Sequence, residues 1–188
     1  MDCREFFDAN SNNNNKCKAI QNVSEAVRES WEASMASAHS PGPVADVEGL
    51  IRYWINPVHY DNDTGSLKPT AFDDASDKGL SVNRSKYMAV DKIREMAASR
   101  VTEWNQSNSS RPPRSLLGYS KFLASEIRKV VTSIPPAPDR RAFCVYDTAK
   151  PDDNSHADVC QVVSTKQGAR SARSQMRELA NRRLQYFA

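Results

Sequence analysis

The stretch AFCVYDTAKPDDNSHADVCQVV, Ala142–Val163, constrains the fold more than any other segment. Two runs rich in apolar residues, Ala142–Asp147 and Ala157–Val163, flank a connection of Pro, Asp, Asn and Ser. Such a pattern reads as a β-hairpin with a long polar loop. If Asp147 and Ala157 close the hairpin, Cys144 stands opposite Cys160, with Cβ atoms ~4.5–5.5 Å apart. The loop ends at His156, close to Asp152 and Asp153. A carboxylate near an imidazole raises its pKa and fixes its tautomer, so His156 is a candidate general base.

Other segments supply the rest of a sheet. LIRYWI, Leu50–Ile55, combines β-branched and aromatic residues and reads as a strand, as do LSVN at Leu80–Asn83 and SLLGY at Ser115–Tyr119. Helical spacing appears elsewhere: Val23, Val27, Trp31, Met35 and Ala38 share one face, opened by a capping pair of Asn22 and Glu25 and stopped by HSPGP. A second stripe, Ile93, Met96, Ala97, Val101 and Trp104, predicts a helix over Asp91–Trp104. Ser120 is placed to cap a helix containing Phe122, Leu123 and Ile127, and IPPAPD is a further break. Ala172, Met176, Leu179, Ala180 and Leu184 form the stripe of a last helix. The helices do not alternate with strands regularly enough for a doubly wound sheet. The expected fold is α+β, with an about five-stranded, mostly antiparallel sheet and flanking helices. Four regions are expected: a flexible lead over 1–18, an N-terminal helix and hinge over 19–46, the α+β body over 47–165, and a basic C-terminal helix over 166–188.

At 188 residues the chain can bury a real core, although only 39% of it is apolar. The net charge of +3 is no basic excess of the kind that marks a nucleic-acid binder. The charge is concentrated late: Lys166, Arg170, Arg173, Arg177, Arg182 and Arg183 face only Glu178 after Ser164. This amphipathic basic helix is a candidate surface for nucleic acid or a partner protein, and Trp31 is a candidate partner anchor. No run approaches the ~18–20 apolar residues of a membrane span, and no secretory pattern opens the chain. A cytoplasmic location is therefore expected, with Cys3, Cys17, Cys144 and Cys160 reduced. The scattered cysteines and histidines lack zinc-ligand spacing, so no metal is expected. No Gly-rich phosphate loop, GxSxG elbow or HExxH occurs.

Phe72, LSVNR at Leu80–Arg84 and NSHA at Asn154–Ala157 together resemble small uncharacterised bacterial proteins. Those carry an aromatic before LSV(D/N)R and a later HA hairpin. The resemblance spans roughly Leu50–Val163 and brings no activity with it. It implies that Ser81, Arg84 and His156 belong to one region of the fold. A looser resemblance is to ADP-ribosyltransferase-like folds, which place an Arg or His on an early strand, a Ser on a second strand and often a late Glu. It implies NAD as cofactor, with Arg52 clamping the pyrophosphate and Ser81 orienting the nicotinamide ribose. The late acid has no obvious place: Glu126 falls on an expected helix, and Asp158 is an imperfect substitute. A third arrangement, His59 and His156 with Arg84 and Lys86, would suit metal-free RNA cleavage.

The leading expectation is a small intracellular bacterial accessory protein without a cofactor. It would act as a subunit of a larger assembly and touch nucleic acid through its last helix. The alternative is a nucleotide- or RNA-acting enzyme using Arg52, Ser81, Arg84 and His156.

Overall fold

A computed structural model of the chain describes residues 1–132 and 140–187. The expected break over Ile134–Asp139 lies outside the described residues. The main sheet has six strands rather than five: β1 (Gly49–Asn56), β2 (Leu80–Arg84), β3 (Ser115–Leu123), β4 (Phe143–Tyr146), β5 (His156–Gln161) and β6 (Leu184–Tyr186). Their spatial order is β6-β3-β1-β2-β5-β4, and every neighbouring pair is antiparallel. The hairpin forms from β4 and β5, with Cys144 opposite Cys160. The sixth strand comes from residues whose apolar stripe reads as the end of the last helix. Leu184 leaves that helix and pairs with Ser120.

Six helices complete the described chain: α1 (Cys3–Ala9), α2 (Lys16–Gln21), α3 (Glu25–Glu32), α4 (Val90–Ser107), α5 (Ala124–Arg128) and α6 (Lys166–Arg182). Two short ribbons, Tyr60–Asp61 with Ser66–Leu67 and Val131–Thr132 with Arg140–Arg141, lie beside the sheet. Phe122 and Leu123, expected in a helix, end β3 instead; Phe122 pairs with Leu50 and is buried. Strand pairing along the whole of β1 outweighs any helical preference there.

Alternate residues of the sheet supply two cores. Leu50, Leu80, Val82, Phe143, Val145 and Val159 pack under α6, α5 and a 3₁₀ segment, Pro69–Ser76. Cys144, Tyr146 and Cys160 pack under α1 to α3 on the other face. α4 lies over β1 and β3 and buries Ile93, Ala97 and Val101. Because the hairpin is covered on both faces, all six residues of β5 are buried, including its polar ones.

The flexible lead expected over 1–18 is corrected by this second core. Asp2 and Glu5 form a capping box on α1, and Phe6, Phe7, Cys17 and Ile20 are buried. Asparagines are spent in turns: Asn13 Nδ2 donates to Asn10 Oδ1 at 2.8 Å, and Asn13 Oδ1 accepts from the Asn15 N–H at 2.8 Å. Trp31 is corrected as a partner anchor, being 7% exposed, with its ring 4.8 Å from that of Phe6. Large apolar side chains contribute roughly 1.5–3 kcal/mol each when fully buried, so this layer belongs to the folded body. The hinge is stitched down as well. Gly42 and Pro43 carbonyls accept from Arg84 at 2.7 and 3.2 Å, and the Ser40 hydroxyl donates to Asp147.

Candidate functional site

Pairing of β2 with β5 sets Ser81 opposite Asp158 and Asn83 opposite His156. With a side-chain period of two, Ser81, Asp158 and His156 therefore share one face. His156 is gripped from both ring nitrogens. Nδ1 lies 3.0 Å from the Thr148 carbonyl and 2.9 Å from the Thr148 hydroxyl. Nε2 lies 3.2 Å from Ser81 Oγ. A carbonyl only accepts, so Nδ1 carries the proton and Nε2 offers its lone pair to the Ser81 hydroxyl. Burial pushes the imidazole below its ordinary pKa, and Asp158 offsets only part of that. His156 is thus a neutral base at pH 7, and the 3.9 Å approach of Asp158 Oδ1 to Nε2 is not an ion pair there.

Asp158 is held by a different partner. Burial alone would raise its pKa, but Lys16, then His156, keep it below the usual carboxylate range. Lys16 Nζ sits 2.6 Å from Oδ2, and Asp158 outweighs the burial that would lower the ammonium's pKa. The carboxylate packs on the bare backbone of Gly79, where φ is +95° and a Cβ would meet Asp158 Cγ at 2.9 Å. His156, Asp158, Lys16, Thr148, Lys150 and Phe7 are among the residues lining a cavity of about 250 Å³ between the N-terminal helices and the hairpin loop.

Arg52 of β1 has the strand parity of Leu50 and Trp54, on the face opposite Ser81 and His156, and reaches only the Ser81 main chain. The β1–β2 ladder pairs only Leu50 with Arg84 and Ile51 with Asn83. Beyond it, the Ser81 carbonyl accepts from Arg52 Nη1 at 2.9 Å, so a side chain takes the place of a ladder bond. Arg52 lies 5.6 Å from the Tyr53 ring and 5.7 Å from the Trp54 ring. Arg100 of α4 donates to the Tyr53 hydroxyl at 3.1 Å.

Ser81 and His156 therefore meet through their side chains, Arg52 touches only the main-chain carbonyl of Ser81, and Arg84 is not with them. Arg84 shares the strand parity of Leu80 and Val82, on the opposite face from Ser81. Its guanidinium is bound by Glu48 at 2.7 and 2.8 Å and approached by Asp147 at 3.3 Å. It holds the hinge to the sheet. His59 is also elsewhere: its Nδ1 accepts from the Ile55 N–H at 3.0 Å, and burial, then Arg52, push its pKa down to about 3. Glu126 accepts from the Leu123 N–H and pairs with Arg183.

Half of the basic tail is committed to the body. Arg173 pairs with Asp73 at 3.6 Å, and Arg177 donates to the Leu67 carbonyl at 2.6 Å. Arg170 and Arg182 are exposed. Sequence reasoning missed Lys16, Thr148 and Gly79. A charged residue inside an apolar strand was the available signal for Asp158, but nothing local marks Lys16 as its partner.

No family model, curated protein or solved structure matches this chain. No helix among the described residues is long and apolar enough to cross a membrane.

Proposed function

We propose that the chain is an enzyme in which Ser81 is the nucleophile and His156 its general base. One observation carries this reading: a neutral imidazole, oriented through Nδ1 by the Thr148 carbonyl, presents Nε2 to the Ser81 hydroxyl at 3.2 Å. A hydroxyl activated by a base that a third group orients is the common arrangement for covalent catalysis. Thr148 takes the orienting place that a carboxylate fills in other serine enzymes. Ser81 is half-buried, so solvent reaches it.

The test is covalent labelling by a fluorophosphonate, located by mass spectrometry. Ser81 is expected to be the labelled residue, and Ser81→Ala to remove the label. His156→Gln is expected to slow labelling by about 10²-fold or more while the protein stays folded. Because the pKa of His156 lies below its ordinary 6.5, the base is fully available at pH 7. The rate should fall at low pH as the imidazole protonates, with a midpoint below the ordinary histidine value of 6.5. Folded protein that takes no label at Ser81 would remove the proposal.

A second reading, a subunit that docks through its last helix, draws on the exposed Lys166, Arg170 and Arg182 of α6.

A further inference from the structure

We propose that the cavity between the N-terminal helices and the hairpin loop is a binding site for a small organic monocarboxylate. This goes beyond the serine reading and does not depend on it, because Ser81 is not among the residues that line the cavity. The volume of about 250 Å³ lies below the ~300–1,000 Å³ of sites for larger organic ligands. Three segments far apart in the chain build the wall. The first two helices bring Phe7, Asp8 and Lys16, the segment after α3 brings Ala36, and the hairpin loop brings Lys150 and Pro151.

The charges in this wall do not cancel. The Lys16 ammonium is nearly out of solvent and makes one hydrogen bond, to Asp158 Oδ2 at 2.6 Å. An ammonium carries three donors, and the other two meet no acceptor among the described residues. The Phe7 ring, with its centre 5.4 Å from Nζ, cannot replace an oxygen. Donors left unmet in a buried group are costly, and an acceptor entering the cavity would relieve that cost. Lys150 has no carboxylate within ion-pairing distance among the described residues. Its loop neighbour Asp153 accepts from Asn83 Nδ2 and the Ser155 N–H, and Asp152 does not line the cavity.

Asp8, the other acid in the wall, faces Arg4 at 3.7 Å. With both lining histidines counted neutral, Asp158 offsets one of the two ammoniums and a single positive charge remains. That surplus selects a monoanion. Phe7, Ala36, Ala149 and Pro151 supply an apolar surface beside the cations. A few placed polar groups in an otherwise apolar wall are the usual make-up of a small-molecule site. A carboxylate on an apolar body satisfies both parts. An inorganic phosphate would leave the apolar part uncovered, and the site lacks the forked guanidinium donors that favour phosphate.

Calorimetry on the full chain, with benzoate as probe, tests the site. Saturable binding of benzoate is expected, and none of benzamide, which has the same shape without the charge. Lys150→Ala is expected to weaken benzoate about tenfold, and Lys150→Arg to keep most of the affinity. Ser11→Trp, at an exposed position in the wall, is expected to block the cavity. Both positions are exposed, and thermal unfolding confirms that the variants fold. Equal binding of benzamide would overturn the carboxylate, and displacement of benzoate by equimolar inorganic phosphate would overturn the organic class. Unchanged affinity in Lys150→Ala would overturn the charge argument, and unchanged affinity in Ser11→Trp would place the ligand elsewhere. Binding of neither benzoate nor hexanoate would remove the site. Labelling of Ser81 is a separate readout, so the serine reading and the carboxylate site can each fail alone.

Discussion

Lys16 and Asp158 are separated by 142 positions and meet at 2.6 Å, nearly out of solvent. Replacing one partner of a buried pair leaves the other uncompensated, which costs about 3–5 kcal/mol. Lys16→Met is therefore expected to lower stability by that order, measured by urea unfolding. The pH dependence gives the cause. With Lys16 present, the depressed Asp158 pKa contributes stability that is full above the unfolded carboxylate value of about 3.9. That stability is lost as pH falls through the lower folded value. Without Lys16, the burial of Asp158 is opposed only by His156 and the Thr148 hydroxyl, so its pKa moves up and the acid loss of stability begins at higher pH. A variant whose stability and acid limb both match the parent would show that the pair contributes nothing. Gly79 packs against Asp158 and Lys16 pairs with it, directly across from Ser81.

Among elements, α1 to α3 act as the missing layer over β4 and β5. Glu32 at the end of α3 accepts from the Val145 N–H at 2.6 Å and receives Arg128 at 3.2 Å and Arg141 at 2.6 Å. One buried carboxylate thus serves the outer strand and two cations together. Deleting residues 1–39 removes that acceptor and uncovers Tyr146 and Cys160. The truncated chain is expected to lose its cooperative thermal transition and bind a hydrophobic dye; a folded body with a sharp transition would make the helices an appendage after all. Composition hides this role. The Asn run signals disorder, yet Phe6, Phe7, Cys17 and Ile20 concentrate enough apolar surface to pack. The hairpin was legible because its strands carry their own β-branched and aromatic signal, and its register follows from the loop ends. The short β6 was not, because Leu184 continues the helical stripe and only pairing with Ser120 decides its state. The Ser81–His156 contact was half legible: each residue stood out locally, but their meeting depends on the β2–β5 register. Arg84 resembled a site residue in the sequence, and its commitment to Glu48 and Asp147 exists only in three dimensions.

For the whole molecule, the net charge of +3 leaves little long-range field, so any nucleic-acid contact must come from a local group of cations. On α6 the outward stripe reads Lys166, Arg170, Ser174, Glu178 and Arg182, each four residues from the last, and Glu178 interrupts it. Arg173, Arg177 and Arg183 are held by Asp73, Leu67 and Glu126. Three free cations remain among the described residues of that helix, Lys166, Arg170 and Arg182. Each phosphate neutralised on duplex DNA contributes about 0.9 to the log–log salt slope. Duplex affinity is therefore expected to fall with a slope no steeper than about −3. The double variant Arg170→Glu with Arg182→Glu should abolish most of it. A slope near about −6 would require Arg173, Arg177 and Arg183 to leave their internal partners. The last helix would then be a nucleic-acid surface first and a brace for the sheet second.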